Sequence, residues 1–161
     1  IVGVALTTEG QCGLDMELLR TLRSTPQATM MESYRFTSNE NLWINNQNDP
    51  HEARAQLITL RQSVLKLSGD VHHDSPQTLQ LLPGSGRLRS ALTDQLEVIC
   101  DAEDVLVWSL AASPSIDKLK VWEFDGKQDW KSLPDIQTRA NEPTGRLIRF
   151  SQLCAAKSHT L

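Results

Sequence analysis

The chain has 161 residues, 39% of them hydrophobic and 22% charged, with a formal net charge of −4 and a pI near 5.5. That length supports one self-sufficient hydrophobic core. The acidic balance argues against general nucleic-acid binding, and no apolar run approaches the roughly 20 residues that a bilayer span needs. Three widely spaced cysteines, Cys12, Cys100 and Cys154, fit free thiols in a reducing, cytoplasmic-type compartment better than a disulfide framework. No basic and apolar leader stands at the start, which also lacks an initiator Met, as expected of a trimmed or excised chain.

Residues 1–7 form a short unbroken apolar run that predicts a buried strand. A glycine turn, Gly10-Gln11-Cys12-Gly13, follows. Leu14, Leu18, Leu19 and Leu22 then share one helical stripe, which predicts a helix over 14–24 ahead of Pro26. Met30–Phe36 reads as a strand. The asparagine-rich stretch 38–48 lacks periodicity and predicts a loop pinned by Leu42, Trp43 and Ile44.

Residues 49–69 carry the clearest punctuation. Asp49 stands at the N-cap, Pro50 in the first turn and Gly69 just past the end, with Ala53, Leu57, Leu60, Val64 and Leu67 as the apolar face. Thr78–Leu82 predicts a short strand that leads through Pro83-Gly84-Ser85-Gly86 into a third helix, Arg87–Cys100, with Leu88, Leu92, Leu96 and Ile99 inward. Further strands are expected at 105–112, 119–124 and 127–133, the last two joined by a tight Asp125-Gly126 turn, and at 146–150. The tail from 155 is small and polar, and should fray. This order predicts a single α+β domain over 1–161: about three helices on a mixed, largely antiparallel sheet, ending in a β-meander.

Chemistry-bearing motifs are partial. A glycine turn that opens a helix presents unpaired N–H groups to an anion. On that basis Gly84, Ser85, Gly86, Arg87 and Arg89 form a weak anion site, although the lysine and hydroxyl of a P-loop are missing. Cys12, placed ahead of the 14–24 helix, is a candidate reactive thiol. Gly10-Gln11-Cys12-Gly13 resembles a fragment of the papain-like protease signature, but Asp15 occupies the nucleophile's position. His72-His73-Asp74 lacks metal-site spacing, and Asp101, Glu103 and Asp104 read as a solvated junction, so no metal or cofactor is expected.

The aromatic balance is unusual, with four tryptophans against three phenylalanines and one tyrosine. Trp122 and Phe124 share one face of the expected hairpin, and Trp130 lies on the returning arm. These three residues are the candidate partner-binding surface. The favoured expectation is therefore a non-catalytic regulatory or adaptor domain in a larger assembly, meeting a protein partner or a second copy through that face. The alternative is a small enzyme or an anion- or nucleotide-binding domain that uses the Gly84–Arg89 turn or Cys12.

Overall fold

Asp49 accepts hydrogen bonds from the His51 and Glu52 amides, and Gly69 takes a left-handed φ of 77°. Between these two caps runs the long helix α2, Pro50–Ser68, as its punctuation predicts. In the computed structural model, the residues described are 2–19, 35–69, 78–91, 93–103, 106–124, 126, 130–133 and 147–152. Before α2 lies a shorter helix, α1, Ser38–Asn45. The strands are β1 Gln11–Leu18, β2 Leu79–Leu82, β3 Arg87–Ser90, β4 Glu97–Ala102, β5 Leu106–Ser113, β6 Trp122–Glu123, β7 Lys131–Ser132 and β8 Ile148–Gln152. The fold is α+β, as expected, with two helices among the described residues.

Six strands form one mixed sheet in the order β1-β5-β4-β8-β3-β2. All neighbours are antiparallel except β3 and β8. β6 and β7 pair separately. Helix α2 lies on one face of the sheet, where Leu57, Leu60 and Val64 pack with Val98, Val107, Ala111 and Phe150. Trp108, Ile99, Leu110 and Ile116 form a second cluster on the opposite face. Ala5, Leu119 and Val121 pack against this second cluster and are only partly buried.

Several expectations are corrected. Residues 2–10 form no strand, the chain bending over 8–10, and the residues expected to start a helix at Leu14 form β1 instead. Leu14 and Leu18 fit a helical stripe, yet Cys12, Leu14 and Met16 also alternate with Gly13, Asp15 and Glu17. Pairing along the whole strand, from Gln11 opposite Ser113 to Leu18 opposite Leu106, satisfies that second period. The stretch read as a loop over 38–48 contains α1. Thr37 accepts from the Glu40 amide while Glu40 accepts from the Thr37 amide, a capping box that outweighs the polar composition.

The third helix over 87–100 is absent. Gly86 turns the chain in a left-handed conformation, so β2 and β3 form a hairpin, and β4 follows with β-branched Val98 and Ile99. In the β6–β7 hairpin, Trp122 faces Ser132 and Glu123 faces Lys131, so the arms are joined by a longer connection than a tight Asp125-Gly126 turn. The strand expected over 119–124 shrinks to Trp122–Glu123. Residues 20–34, with most of the strand expected at 30–36, lie outside the described residues. So do His72-His73-Asp74, Asp104, Cys154 and the tail. No described helix is long and apolar enough to cross a membrane.

A carboxylate–lysine cleft at the edge strand

β1 is the edge of the large sheet, and its alternation sends two sets of side chains to opposite faces. Cys12, Leu14 and Met16 join the second cluster. Gly13 and Asp15 turn toward α2. A Cβ on Gly13 would lie on the Ser63 carbonyl oxygen and 2.6 Å from the Leu67 nitrogen. The missing side chain is therefore what lets α2 press its C-terminal half against β1. That contact brings Lys66, in the last turn of α2, to Asp15.

Lys66 Nζ donates to Asp15 Oδ1 at 2.7 Å and to the Leu14 carbonyl at 3.3 Å. The Asp15 side chain is only 10% exposed, whereas that of Lys66 is 46% exposed. Oδ2 of Asp15 is buried without a hydrogen-bond partner. Burial holds the Asp15 carboxyl above its ordinary value of 3.8, and the Lys66 hydrogen bond and charge, with the Met16 amide, only partly offset this. Glu17 lies two residues along the same strand face. Its carboxyl is also raised, first by burial and then by the neighbouring Asp15 charge. One ammonium thus pairs with the Asp15 carboxylate, and the half-buried Glu17 carboxyl stands on the same strand face within reach of both charges.

An open cleft of about 280 Å³ adjoins this pair, lined by Gly3, Ala5, Cys12, Leu14, Asp15, Met16 and Lys66. Cys12 is half-buried on β1. Among the described residues β1 replaces the helix expected to follow Cys12, which removes the helix dipole on which its reading as a reactive thiol rests. Cys100 is fully buried in a polar clip. Thr59 Oγ1 lies 2.8 Å from Ser109 Oγ and 3.9 Å from Cys100 Sγ, and burial pushes the Cys100 thiol up to about 12. Such a thiol is inert at neutral pH. Among the described residues no three His, Cys, Asp or Glu side chains gather as metal ligands.

The other candidate residues lie elsewhere. Gly84, Ser85 and Gly86 form the β2–β3 turn, where Gly86 N donates to Pro83 O and Ser85 Oγ donates to Leu82 O. Arg87 donates to Ser151 Oγ at 2.9 Å. Arg87 and Arg89 share a strand face, but no helix N-terminus stands behind them. Trp122, Phe124 and Trp130 are 54%, 52% and 64% exposed. The rings of Phe124 and Trp130 lie 5.0 Å apart. Trp108, by contrast, is core.

The chain is similar to "Uncharacterized protein YieE" of Escherichia coli K12. The two are 62% identical over 158 residues, which cover 98% of this chain and 64% of the relative. The protein of the same name from Escherichia coli O6:H1 matches with the same identity and coverage. The chain therefore spans slightly under two thirds of the length of these relatives. No family model matches the chain, and no solved structure matches it.

The decisive residues escape a reading of the sequence for two reasons. Taken as a helix, Gly13-Leu14-Asp15-Met16-Glu17 points Asp15 and Glu17 in different directions, whereas a strand puts them on one face. Lys66 is 51 residues away, and only the packing of α2 on Gly13 brings it in. The usable signal is the alternation of Asp15 and Glu17 with apolar Leu14, Met16 and Leu18.

Proposed function

We propose that the chain is a ligand-binding domain whose cleft takes a phosphate-bearing small molecule together with a divalent cation. Asp15 holds the cation from the cleft wall, Glu17 adds its charge from two residues along the same strand face, and Lys66 faces the phosphate. The observation that carries this reading is the nine-tenths-buried Asp15 carboxylate, with one oxygen on Lys66 and the other unpartnered. Two carboxylates leave a negative excess over one lysine, and the C-terminal turn of α2 adds partial negative charge. A hard divalent cation such as Mg²⁺ suits that excess. It is commonly held by one or two carboxylates, waters and a ligand's phosphates, so a third protein ligand is not required. Lys66, half exposed and carrying three donors, supplies the point charge that a phosphate oxygen needs. In an enzyme this set would suit transfer or cleavage at a phosphate ester: a cation held by the carboxylates would supply Lewis-acid polarisation, and the Lys66 ammonium would offset charge on the leaving oxygen.

Titration with Mn²⁺, followed by water-proton relaxation, tests the cation site, first alone and then with pyrophosphate as the phosphate probe. Binding that tightens with pyrophosphate and is lost in Asp15→Asn is the expected result. Equal Mn²⁺ binding by the wild type and by an Asp15→Asn/Glu17→Gln double variant overturns the reading.

A second reading, contact with a protein partner through Trp122, Phe124 and Trp130, draws support from their exposure on one hairpin face. Crosslinking in extracts of the native source, comparing the wild type with Trp122→Ala/Trp130→Ala, tests it. A partner captured equally by both forms overturns it.

A further inference from the structure

Residues 2–6 lie beside β1, which they touch through Gly3 and Ala5. Ala5 packs into the second cluster, and a Cβ on Gly3 would lie on Met16 Sδ and 3.1 Å from Leu14. Gly3 and Ala5 thus seat the segment against the sheet. Val2, Val4 and Leu6 are 90%, 78% and 92% exposed. No charged residue interrupts the segment before Glu9. Three exposed aliphatic side chains at alternate positions of one five-residue segment make a local apolar row, unlike the scattered apolar residues of an ordinary surface.

We propose that this row is an intramolecular docking edge. In a protein as long as these relatives it is covered by polypeptide corresponding to the part of their length that this chain does not span. Two observations select that occupant over a second copy. The match takes up 98% of this chain but only 64% of the relatives, so the relatives carry substantial polypeptide with no counterpart here. The row is also too small to hold a dimer. Three side chains bury a few hundred Å² at most, whereas a stable interface needs about 800 Å² from each partner. A segment in the same chain docks without the entropy cost of association, so a short edge suffices. This inference is independent of the cleft and of what it binds.

The test uses full-length YieE of E. coli K12. Amides aligned with residues 2–6 are expected to exchange at least about 100-fold more slowly than an unprotected peptide. Replacing the residue aligned with Val4 by Asp should lower Tm by about 4 °C or more. The same change at the residue aligned with Leu42, which is 64% exposed on α1, should leave Tm nearly unchanged. Unprotected exchange, with both substitutions neutral, overturns the proposal. Protection that fades on dilution also overturns it, because a second copy is then the cover.

Discussion

Lys66 reaches Asp15 across 51 positions of sequence, and its ammonium lies 2.7 Å from Oδ1 while Oδ2 stays buried without a partner. The two ends of this pair are unequal. Removing the lysine leaves a desolvated carboxylate alone, whereas neutralising the carboxylate leaves a lysine that water already reaches. Lys66→Met should therefore cost about 1 kcal/mol, a figure kept small by the exposure of Lys66. Asp15→Asn should change stability by less than about 0.5 kcal/mol. Urea melts at pH 7.5 decide the matter, and a larger loss from Asp15→Asn would contradict this account.

The pH dependence carries a definite sign. Asp15 and Glu17 both have raised carboxyls in the fold, so between their ordinary values of 3.8 and 4.5 and their folded values the native state binds more protons than the unfolded chain. Stability from these groups is present at acid pH and is lost as pH rises through that window, at no more than about 1.4 kcal/mol per pH unit for each group. The Asp15→Asn/Glu17→Gln variant should gain on the wild type as pH is raised from 4 to 8. Thermal melts across that range check this, and a constant difference in Tm would refute it. Divalent cation binding at the same carboxylates should weaken toward acid pH, because protons compete for the site.

Much of the frame was legible. Asp49, Pro50 and Gly69 mark α2 because caps act locally, and their hydrogen bonds involve neighbours in sequence. Where local signals allow two periods, tertiary pairing decides. Leu88, Leu96 and Ile99 fit a helix on paper, yet they occupy or flank β3 and β4 because the Gly86 turn returns the chain beside β2. Trp122 and Phe124 were legible as sharing a face because alternation alone fixes that, whereas Trp130 joins them only through the register that sets Trp122 opposite Ser132, which the expected Asp125-Gly126 turn would not give. The cleft was not, since it depends on which element β1 is and on how closely α2 can approach it.

That approach rests on Gly13. A methyl group there meets the backbone of Ser63 and Leu67, which cannot swing aside as a flexible side chain could. Gly13→Ala should cost about 3 kcal/mol, the upper end for overpacking, and should loosen the Lys66–Asp15 pair as the helix shifts. Gly84→Ala, with nothing within 4 Å of the added methyl, should change stability by less than about 0.5 kcal/mol. Equal melting temperatures for the two variants would show that helix and strand have more freedom than this packing allows.

The other buried pair joins the two helices. Arg61, 2% exposed, donates from Nε and Nη2 to the two oxygens of fully buried Glu40, each at 3.3 Å, and from Nη1 to the Leu79 carbonyl at 3.0 Å. Glu40 also closes the capping box of α1, so one carboxylate both starts that helix and ties it to α2 and β2. Breaking one side leaves an uncompensated buried charge, so Arg61→Met and Glu40→Gln should each cost about 3–5 kcal/mol. Replacing both together by Met and Leu should cost less than the sum of the single changes, since no buried charge then remains, although α1 loses about 1 kcal/mol of capping. Chemical denaturation of the two single variants and the double variant gives the coupling directly. Additive losses would mean that the pair is solvated in solution and that α1 is held by its cap and by Ile44 in the core.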